Sequence, residues 1–217
     1  MLCIHSHLLY GIDDGARTKE EAIQMARGLV AAGITEMIVT PHFEEGLYYN
    51  MRKIILEKCA QLRQDLLEAE ISLVIHPGCE VMLTPEVLDR LQNNELMTMK
   101  DQGQYLLVEL PLSQYPVYTK DLLYEIKIRG YIPILAHPER YHRLPPEIIE
   151  DNLVQINLPS LAGLYGSRIQ EKAELIMADK PATEILFGTD AHRLQTDLWH
   201  PELMENLKKN ERFFAKT

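Results

Sequence analysis

The chain contains 217 residues, of which 46% are hydrophobic and 25% charged, as in ordinary globular proteins that bury a sizeable core. Its formal net charge of −10 disfavours a nucleic-acid partner, because a surface that binds a duplex normally carries a stripe of lysine and arginine. No apolar run reaches the roughly 18 residues that a transmembrane segment requires, and the N-terminus lacks the basic region of a signal peptide, so a cytoplasmic protein is expected.

Short apolar runs alternate with amphipathic stretches along the whole chain. Thr18 and Glu21 form a capping box, which predicts that the first helix begins there, and Gly33 ends it. Further helices are predicted to begin near Met51, Thr84, Thr119, Gln170 and Pro201. The apolar runs predict seven strands, which are Leu2–Ile4, Met37–Thr40, Ser72–His76, Tyr105–Leu110, Ile132–Ala136, Val154–Asn157 and Glu184–Phe187.

The alternation of strands and helices is typical of a parallel α/β chain built from strand–helix units of roughly 30 residues. The strands are continuous apolar runs, which suits a sheet covered on both faces. An open doubly wound sheet would give the same alternation, but the chain contains neither GxGxxG nor a phosphate-binding P-loop. The sequence therefore favours a closed or nearly closed β/α barrel, with residues 1–217 forming one domain.

Side chains that commonly bind metals follow six of the seven predicted strands, whereas the sixth strand ends in Asn157. A lone histidine after a strand is usually an ordinary loop residue, but the repetition favours a metal site. In β/α barrels the functional face is the C-terminal end of the strands, so these side chains would converge. His5 and His7 are alternate residues of an extended segment and can share one ion. The candidates are His5, His7, Asp13, Asp14, His42, His76, Glu80, Glu109, His137, Asp190 and His192.

The types of ligand indicate which metals the site would accept. Imidazole and carboxylate groups without thiolates suit manganese, iron or zinc. The chain has three scattered cysteines without a CxxC pair, and we expect them to be buried free thiols. A cysteine-dependent tyrosine phosphatase requires an arginine six positions after the nucleophile. Six positions after Cys3, Cys59 and Cys79 stand Leu9, Asp65 and Pro85, which excludes that mechanism.

Two arginines close to the predicted ligands suggest a phosphate substrate. Arg140 lies three residues after His137, and Arg193 directly follows His192. A guanidinium group can hold phosphate through two parallel hydrogen bonds. Several divalent ions would also outweigh the carboxylates around them and leave a small positive charge for a phosphate dianion.

Six motifs together resemble those of the polymerase and histidinol phosphatase (PHP) family, and more closely its bacterial capsule-associated protein-tyrosine phosphatases. The resemblance implies a distorted (β/α)7 barrel that is similar to a TIM barrel. It also implies three divalent ions, with manganese expected and iron or zinc as alternatives. The implied partner is a phosphotyrosine protein, the tail of a bacterial tyrosine kinase of exopolysaccharide or capsule synthesis. The motifs are His5-Ser6-His7, Asp13-Asp14-Gly15, Thr40-Pro41-His42, Gly78-Cys79-Glu80, Ala136-His137-Pro138-Glu139-Arg140 and Thr189-Asp190-Ala191-His192.

The resemblance also implies how the ligands divide among the ions. One ion would take His5, His7, Glu80 and Asp190. A second would take Glu80, Glu109 and His137, so that Glu80 bridges. The third would take His42, His192 and one aspartate of the 13–14 pair, for which we favour Asp14. Arg140 would hold the phosphate. A second family arginine has Asp197 at its usual position here, and Arg193 would stand in for it.

The expected reaction is hydrolysis of a phosphomonoester by a hydroxide that bridges two ions, while Arg140 neutralises charge on the phosphoryl oxygens. Two alternatives remain open at this stage. One is a phosphatase for histidinol phosphate or another small phosphoester, and the other is a non-catalytic module that binds a kinase tail. Aromatic side chains near the site could stack on a phenyl leaving group, namely Tyr48, Tyr49, Tyr115 and Tyr118. Glu44, Glu45 or Asp197 could instead pair with the amine of histidinol.

Overall fold

The computed structural model describes residues 1–194 and 201–215, except the side chain of Pro201. These residues form a mixed α/β fold, which confirms the predicted alternation. The strands are β1 (Leu2–Cys3), β2 (Glu36–Val39), β3 (His42–Glu44), β4 (Tyr48–Tyr49), β5 (Val74–Pro77), β6 (Glu80–Met82), β7 (Tyr105–Glu109), β8 (Ile132–Ala136), β9 (Leu153–Asn157) and β10 (Ile185–Gly188).

The strands form two sheets. The smaller one has the order β1-β2-β5, and the larger one has the order β10-β9-β8-β7-β6-β3-β4. All pairs within these sheets are parallel apart from the hairpin between β3 and β4. Neighbouring strands pair residue by residue. Leu107 of β7, for example, lies opposite Ile134 of β8. The C-terminal ends of the parallel strands therefore face the same way within each sheet.

Two of the predicted strands are in fact interrupted strands that contribute to both sheets. The chain leaves the small sheet after β2, passes Thr40 and Pro41, and enters the large sheet as β3. It repeats this step between β5 and β6 at Gly78 and Cys79. The prediction missed β3, β4 and β6 because a two- or three-residue strand has no apolar run of its own. These crossings place His42 and Glu80 opposite each other in neighbouring strands.

The first and last strands approach each other beyond the ends of the sheets. Ser6 and Ala191 form an isolated parallel bridge. His7 N donates to Ala191 O over 3.0 Å, and Asp190 N donates to His5 O over 2.9 Å. The two sheets nevertheless do not form one closed sheet, so the predicted barrel is not confirmed as such.

The helices lie between the strands in chain order. Thr18 caps the first helix as predicted, since its side chain accepts a hydrogen bond from Glu21 N. The third helix begins at Val87, slightly later than predicted, and two short helices after Pro145 and Asn157 were not predicted. The helices are α1 (Lys19–Ala31), α2 (Arg52–Glu68), α3 (Val87–Gln92), α4 (Thr119–Ile128), α5 (Pro146–Glu150), α6 (Leu158–Leu161), α7 (Ser167–Asp179), α8 (Pro201–Met204) and α9 (Leu207–Phe214). Single 3-10 turns lie at Met99–Asp101, Pro138–Arg140 and Ala182–Glu184.

Buried apolar side chains form two clusters. The larger one fills the space between helices and strands, and it includes the three cysteines, which are buried free thiols as predicted. The smaller one combines residues of both sheets with the end of α9: Leu2, Ile4, Ile38, Met99, Tyr105, Leu107, Ile134, Ala136, Leu186 and Phe214. Side chains from the two sheets thus meet in a common interior. None of the helices in the described ranges is long and apolar enough to cross a bilayer.

Candidate metal centre

The strand ends bring eight of the predicted ligands into three overlapping groups of donor atoms. Within each group, one atom from every member lies within 4.8 Å of the others. His137 joins them through its ring nitrogen, which lies 3.0 Å from Glu80 Oε1. His76 is elsewhere, paired at 2.9 Å with Glu36 on the surface between β2 and β5. The groups are His5, His7, Glu80 and Asp190; His42, Glu80 and Glu109; and His7, Asp14, His42 and His192.

The most deeply buried group surrounds the Nε2 atom of His5. This nitrogen lies 3.1 Å from Glu80 Oε2 and 3.3 Å from Asp190 Oδ1. His7 Nε2 lies 3.3 Å from both of the same carboxylate oxygens, and also 3.3 Å from His5 Nε2. All four side chains are essentially inaccessible to solvent. Four donor atoms thus face one small volume that water does not reach from outside.

The opposite nitrogens of the two imidazole rings are held by other side chains. His5 Nδ1 lies 2.7 Å from Gln155 Oε1, and His7 Nδ1 lies 2.9 Å from Asp13 Oδ2. Because an amide oxygen and a carboxylate can only accept, a neutral ring in either place carries its proton on Nδ1 and turns the Nε2 lone pair inward.

The group of four side chains offers buried oxygen atoms to a cation. Glu80 Oε2 and Asp190 Oδ1 have no hydrogen-bond partner among the described residues, although both are buried. Burial raises the pKa of each carboxyl, but neighbouring imidazolium charges outweigh it and lower both pKa values. Buried, unpartnered carboxylate oxygens that face imidazole lone pairs form a donor set for a divalent ion.

A second group surrounds Glu109 at the end of β7. His42 Nδ1 lies 3.2 Å from Glu80 Oε2 and 3.6 Å from Glu109 Oε2. His137 Nε2 lies 3.6 Å from Glu109 Oε1, on the other side of the same two carboxylates. Burial and the charges of Glu80 and Asp190 raise the pKa of Glu109 to about 9. In the metal-free protein, these carboxylates are therefore too close together for all of them to be ionised at neutral pH.

The third group lies at the edge of the site and distinguishes the two adjacent aspartates. Asp14 Oδ1 lies 3.3 Å from His192 Nε2 and 3.5 Å from His42 Nε2. The hydrogen bond from His192 lowers the pKa of Asp14 to about 2. Asp13 instead accepts hydrogen bonds from His7 Nδ1, Gly15 N and His42 N. Its oxygens are already occupied, so the geometry favours Asp14 as the ligand and Asp13 as a residue that orients His7.

Gly15 is required by this turn. A Cβ atom at this position would lie 2.2 Å from His7 O and 2.8 Å from Asp13 Oδ1. The first contact cannot be relieved by moving a flexible side chain, because His7 O belongs to the backbone. Glycine thus lets the turn lie against His7, which brings Asp13 within hydrogen-bond distance of the ring.

Both residues that follow β8 and the end of β10 have strained backbones. His137 has φ of 31° and Asp190 has φ of 50°, in the left-handed region that side chains other than glycine rarely adopt. Such strain persists where the surrounding structure enforces it, typically at functional sites. Here the strained residues are two predicted ligands that follow β8 and β10, the strands on either side of β9.

The two predicted arginines differ in their contacts. Arg140 Nη1 donates to Asp190 Oδ2 over 2.6 Å, and the guanidinium group lies 5.1 Å from the centre of the Tyr165 ring. Arg193 Nη1 donates to the backbone carbonyls of Asp14, Gly15 and His192. Arg140 therefore lies beside the predicted ligands with its charge inside the site, whereas Arg193 supports the turn that carries Asp14. Asp197 lies outside the described residues.

A cavity of about 410 Å³ opens above the three groups. Arg140 lines it, and its rim includes the apolar side chains of Leu47, Met82 and Leu112. Tyr48 also lines it and stacks on His42, with the ring centres 5.8 Å apart and the planes 16° apart. Tyr115, another tyrosine predicted to contact an aromatic substrate, lines a different cavity together with Pro138 and His142. The cavity thus offers donor atoms at its base and an apolar wall above them.

Sequence reasoning missed the buried amides of β9. Gln155 and Asn157 are completely buried, and they contact His5 and Asp190 respectively. Asn157 was noticed only because it stands where other strands carry a ligand. The signal that could have revealed Gln155 is the break it makes in an otherwise apolar strand, because a buried amide needs partners.

Comparisons with known proteins agree with this site. Residues 1–216 match the family described as capsular polysaccharide synthesis, CpsB/CapC. The chain is 33% identical over 209 residues to the tyrosine-protein phosphatase YwqE of Bacillus subtilis, covering 93% of this chain and 81% of that protein. It is 31% identical over 201 residues to the putative tyrosine-protein phosphatase CapC of Staphylococcus aureus, covering 89% of this chain and 78% of that protein.

Comparison with solved structures supports the same family. One from a crystallographic study of YwqE from Bacillus subtilis and CpsB from Streptococcus pneumoniae, described as unique metal-dependent tyrosine phosphatases, superposes with a TM-score of 0.85 and 32% identity. That match covers 98% of this chain and 88% of the other. The organophosphorus hydrolase of Deinococcus radiodurans matches with a TM-score of 0.54, 11% identity and coverage of 100% and 86%, which indicates a shared fold alone.

Proposed function

The chain belongs to the CpsB/CapC family of capsular polysaccharide synthesis, and on that basis we propose that it is a metal-dependent protein-tyrosine phosphatase. The observation that carries the proposal is the group formed by His5, His7, Glu80 and Asp190. Its donor atoms lie close together, and two buried carboxylate oxygens among them have no hydrogen-bond partner in the described residues, which is the arrangement expected around a metal ion.

We propose three divalent ions, with manganese as the expected metal and iron or zinc as alternatives. The first would be held by His5, His7, Glu80 and Asp190, the second by Glu80, Glu109 and His137, and the third by Asp14, His42 and His192. Glu80 supports a bridging role, because Oε1 faces His137 while Oε2 faces His5 and His42. When bound, such ions supply positive charge to a phosphoryl group and lower the pKa of a coordinated water molecule.

The residues of the chain then bind and orient the substrate. Arg140 lies in the cavity beside Asp190, where its guanidinium group can donate to two phosphoryl oxygens. Its hydrogen bond to Asp190 and its contact with Tyr165 fix the side chain before a substrate arrives, which lowers the entropic cost of binding. Arg193 supports the Asp14 turn and acts on phosphate only indirectly.

The proposed substrate is phosphotyrosine in a flexible segment of a protein, such as the tail of a tyrosine kinase of capsule or exopolysaccharide synthesis. The flat ring of Tyr48 and the apolar side chains of Leu47 and Leu112 give the cavity a wall that a phenyl ring can contact. A flexible segment can reach such a cavity without a large interface. The curated relatives named above are tyrosine phosphatases, which favours this substrate over histidinol phosphate.

We further propose that the two sheets form a distorted seven-stranded barrel and that residues 1–217 form one phosphoesterase domain. Three observations support the barrel. The Ser6–Ala191 bridge connects the first and last strands, the interrupted strands connect the two sheets, and side chains from both sheets share one interior cluster. This arrangement would direct the C-terminal ends of all strands to one mouth.

The test is a comparison of kcat/KM for a phosphotyrosine peptide, a phosphoserine peptide and histidinol phosphate, each with the same concentration of Mn²⁺. The expected result is a clear preference for the phosphotyrosine peptide. A preference for histidinol phosphate would overturn the proposed substrate but leave the proposed phosphoesterase activity in place. No hydrolysis of any phosphoester, in a protein that binds Mn²⁺ and the phosphotyrosine peptide, would instead favour a non-catalytic binding module.

A further inference from the structure

Strand β9 carries two buried amides where neighbouring strands carry predicted ligands. Gln155 and Asn157 are alternate residues, so their side chains leave the strand on the same side. Both are completely buried. A buried amide is costly unless its donors and acceptor are satisfied, and here the partners belong to the candidate metal centre.

A continuous chain of hydrogen bonds runs from His5 to Asp190 through these amides. His5 Nδ1 lies 2.7 Å from Gln155 Oε1. Gln155 Nε2 lies 2.8 Å from Asn157 Oδ1. Asn157 Nδ2 lies 2.8 Å from Asp190 Oδ2. The chain thus joins two members of the most deeply buried donor group by their outer atoms.

The direction of every hydrogen bond follows from the last one. The Asp190 carboxylate can only accept, so Asn157 must direct its NH2 group at it. The oxygen of Asn157 then faces Gln155 and accepts from the NH2 group of Gln155. The oxygen of Gln155 in turn faces His5 and accepts from Nδ1–H. One carboxylate therefore fixes, through two amides, which nitrogen of His5 carries the proton.

We propose that Gln155 and Asn157 are positioning residues that jointly hold His5 and Asp190 ready for a single divalent ion. The relay leaves the Nε2 lone pair of His5 and Oδ1 of Asp190 free, and these two atoms lie 3.3 Å apart. His7 is oriented separately, by Asp13. This inference rests on the proposed metal centre and assigns a function to residues that are not ligands.

Amides suit this place better than carboxylates because they add no charge. Glu80, Glu109 and Asp190 already crowd the site with negative charge, and a further buried carboxylate would oppose their ionisation. The local packing is tight as well. A Cβ atom on Gly188 would lie 2.5 Å from His5 Cβ and 2.9 Å from Gln155 Nε2. Glycine on β10 thus gives the relay the space it needs.

The relay is tested with Gln155→Leu, Asn157→Leu and the double variant in the full chain. Mn²⁺ binding is measured by titration calorimetry, and the tautomer of His5 by long-range ¹H–¹⁵N correlation spectra of the metal-free protein. Each single variant should weaken binding at one Mn²⁺ site by about 10- to 100-fold. The double variant should cost little more than the worse single variant, because both break the same chain. Gln155→Leu should also remove the Nδ1–H preference of His5.

The matched control is Asn210→Leu. Asn210 is a completely buried amide on α9 that bonds Leu2 O and the backbone of Phe187, away from the predicted ligands. It should lower the melting temperature without changing Mn²⁺ affinity. Unchanged Mn²⁺ affinity in both relay variants overturns the inference, as does an unchanged His5 tautomer in Gln155→Leu. If Gln155→Leu does not fold, weaker Mn²⁺ binding by Asn157→Leu supports the relay and wild-type binding overturns it. In the wild-type chain, Mn²⁺ binding without phosphatase activity would contradict the proposed function but not this relay.

Discussion

The Nε2 atoms of His5 and His7 lie 3.3 Å apart, although each ring carries its outer hydrogen bond on Nδ1. Two neutral imidazoles held in this way direct their lone pairs at each other. Only a proton or a cation between them removes that repulsion. The same atoms face two buried carboxylate oxygens, so the pair forms a donor set that suits a cation.

Metal removal should therefore affect both activity and stability. Excess chelator should abolish hydrolysis of an aryl phosphate and lower the melting temperature, and Mn²⁺ should restore both, because the ion binds only the folded protein. Alkylation of thiols should leave activity intact, because all three cysteines are buried and none is among the predicted ligands. Full activity in protein shown to be free of metal would contradict the proposed mechanism.

Glu80→Gln should cost more activity than a change at any other single ligand. Glu80 is the only side chain among the described ligands that belongs to the first two groups, and its two oxygens face different histidines. The amide keeps the shape but removes the negative charge, so we expect a loss of more than about 100-fold in kcat. Glu57→Gln, at an exposed position of α2, is the control. Wild-type kcat in Glu80→Gln would exclude the bridging assignment.

Arg140→Lys should raise KM and lower kcat, because lysine keeps the charge but loses the planar pair of donors. Arg193→Ala should leave KM for the substrate almost unchanged. It should instead weaken Mn²⁺ binding slightly, since Arg193 supports the backbone of Asp14. Steady-state kinetics together with Mn²⁺ titration separate the two effects. Equal, negligible changes in both variants would mean that the ions alone hold the phosphate.

The sequence was sufficient to identify most of the side chains that meet in the candidate site but not the geometry that joins them. Histidines and carboxylates after apolar runs are visible in the sequence, and the predicted strands lie close to the observed ones. The short strands β3 and β6 were invisible because two or three residues carry no periodicity. The choice of Asp14 over Asp13 rests on which oxygens are already hydrogen-bonded, and that depends on the turn at Gly15. The amide relay of β9 depends on contacts across more than 30 residues of sequence.

Mn²⁺ affinity should increase with pH. The pKa of Glu109 in the metal-free protein is about 9, so the folded protein carries a proton there at neutral pH that the ion must displace. Between about pH 6 and 9, affinity should therefore rise by up to tenfold per pH unit for this one proton. Glu109→Gln should bind Mn²⁺ more weakly but with a shallower pH dependence.

The raised pKa of Glu109 should also affect the stability of the metal-free protein. Its folded state has the higher pKa at Glu109, so the unfolded chain ionises first as the pH rises above about 4.5. This carboxyl should thus reduce stability progressively up to about pH 9, and denaturant titrations with and without Glu109→Gln measure the difference. An identical pH dependence of stability in both proteins would contradict the raised pKa.

Tyr48 should determine the preference for an aromatic phosphoester. Its ring stacks on His42 and lines the cavity together with the apolar side chain of Leu112. Tyr48→Ala removes that ring, and we expect kcat/KM for a phosphotyrosine peptide to fall by about tenfold, as for the loss of one aromatic contact. Tyr48→Phe keeps the ring and should retain most of the activity.

A phosphoserine peptide distinguishes the two ways in which the tyrosine can act. If Tyr48 contacts the phenyl ring of the substrate, the slower reaction of phosphoserine should change little in Tyr48→Ala, so the preference narrows. If the tyrosine serves only to hold His42, both substrates should lose activity in the same proportion and Mn²⁺ binding should weaken, which would remove Tyr48 from substrate recognition.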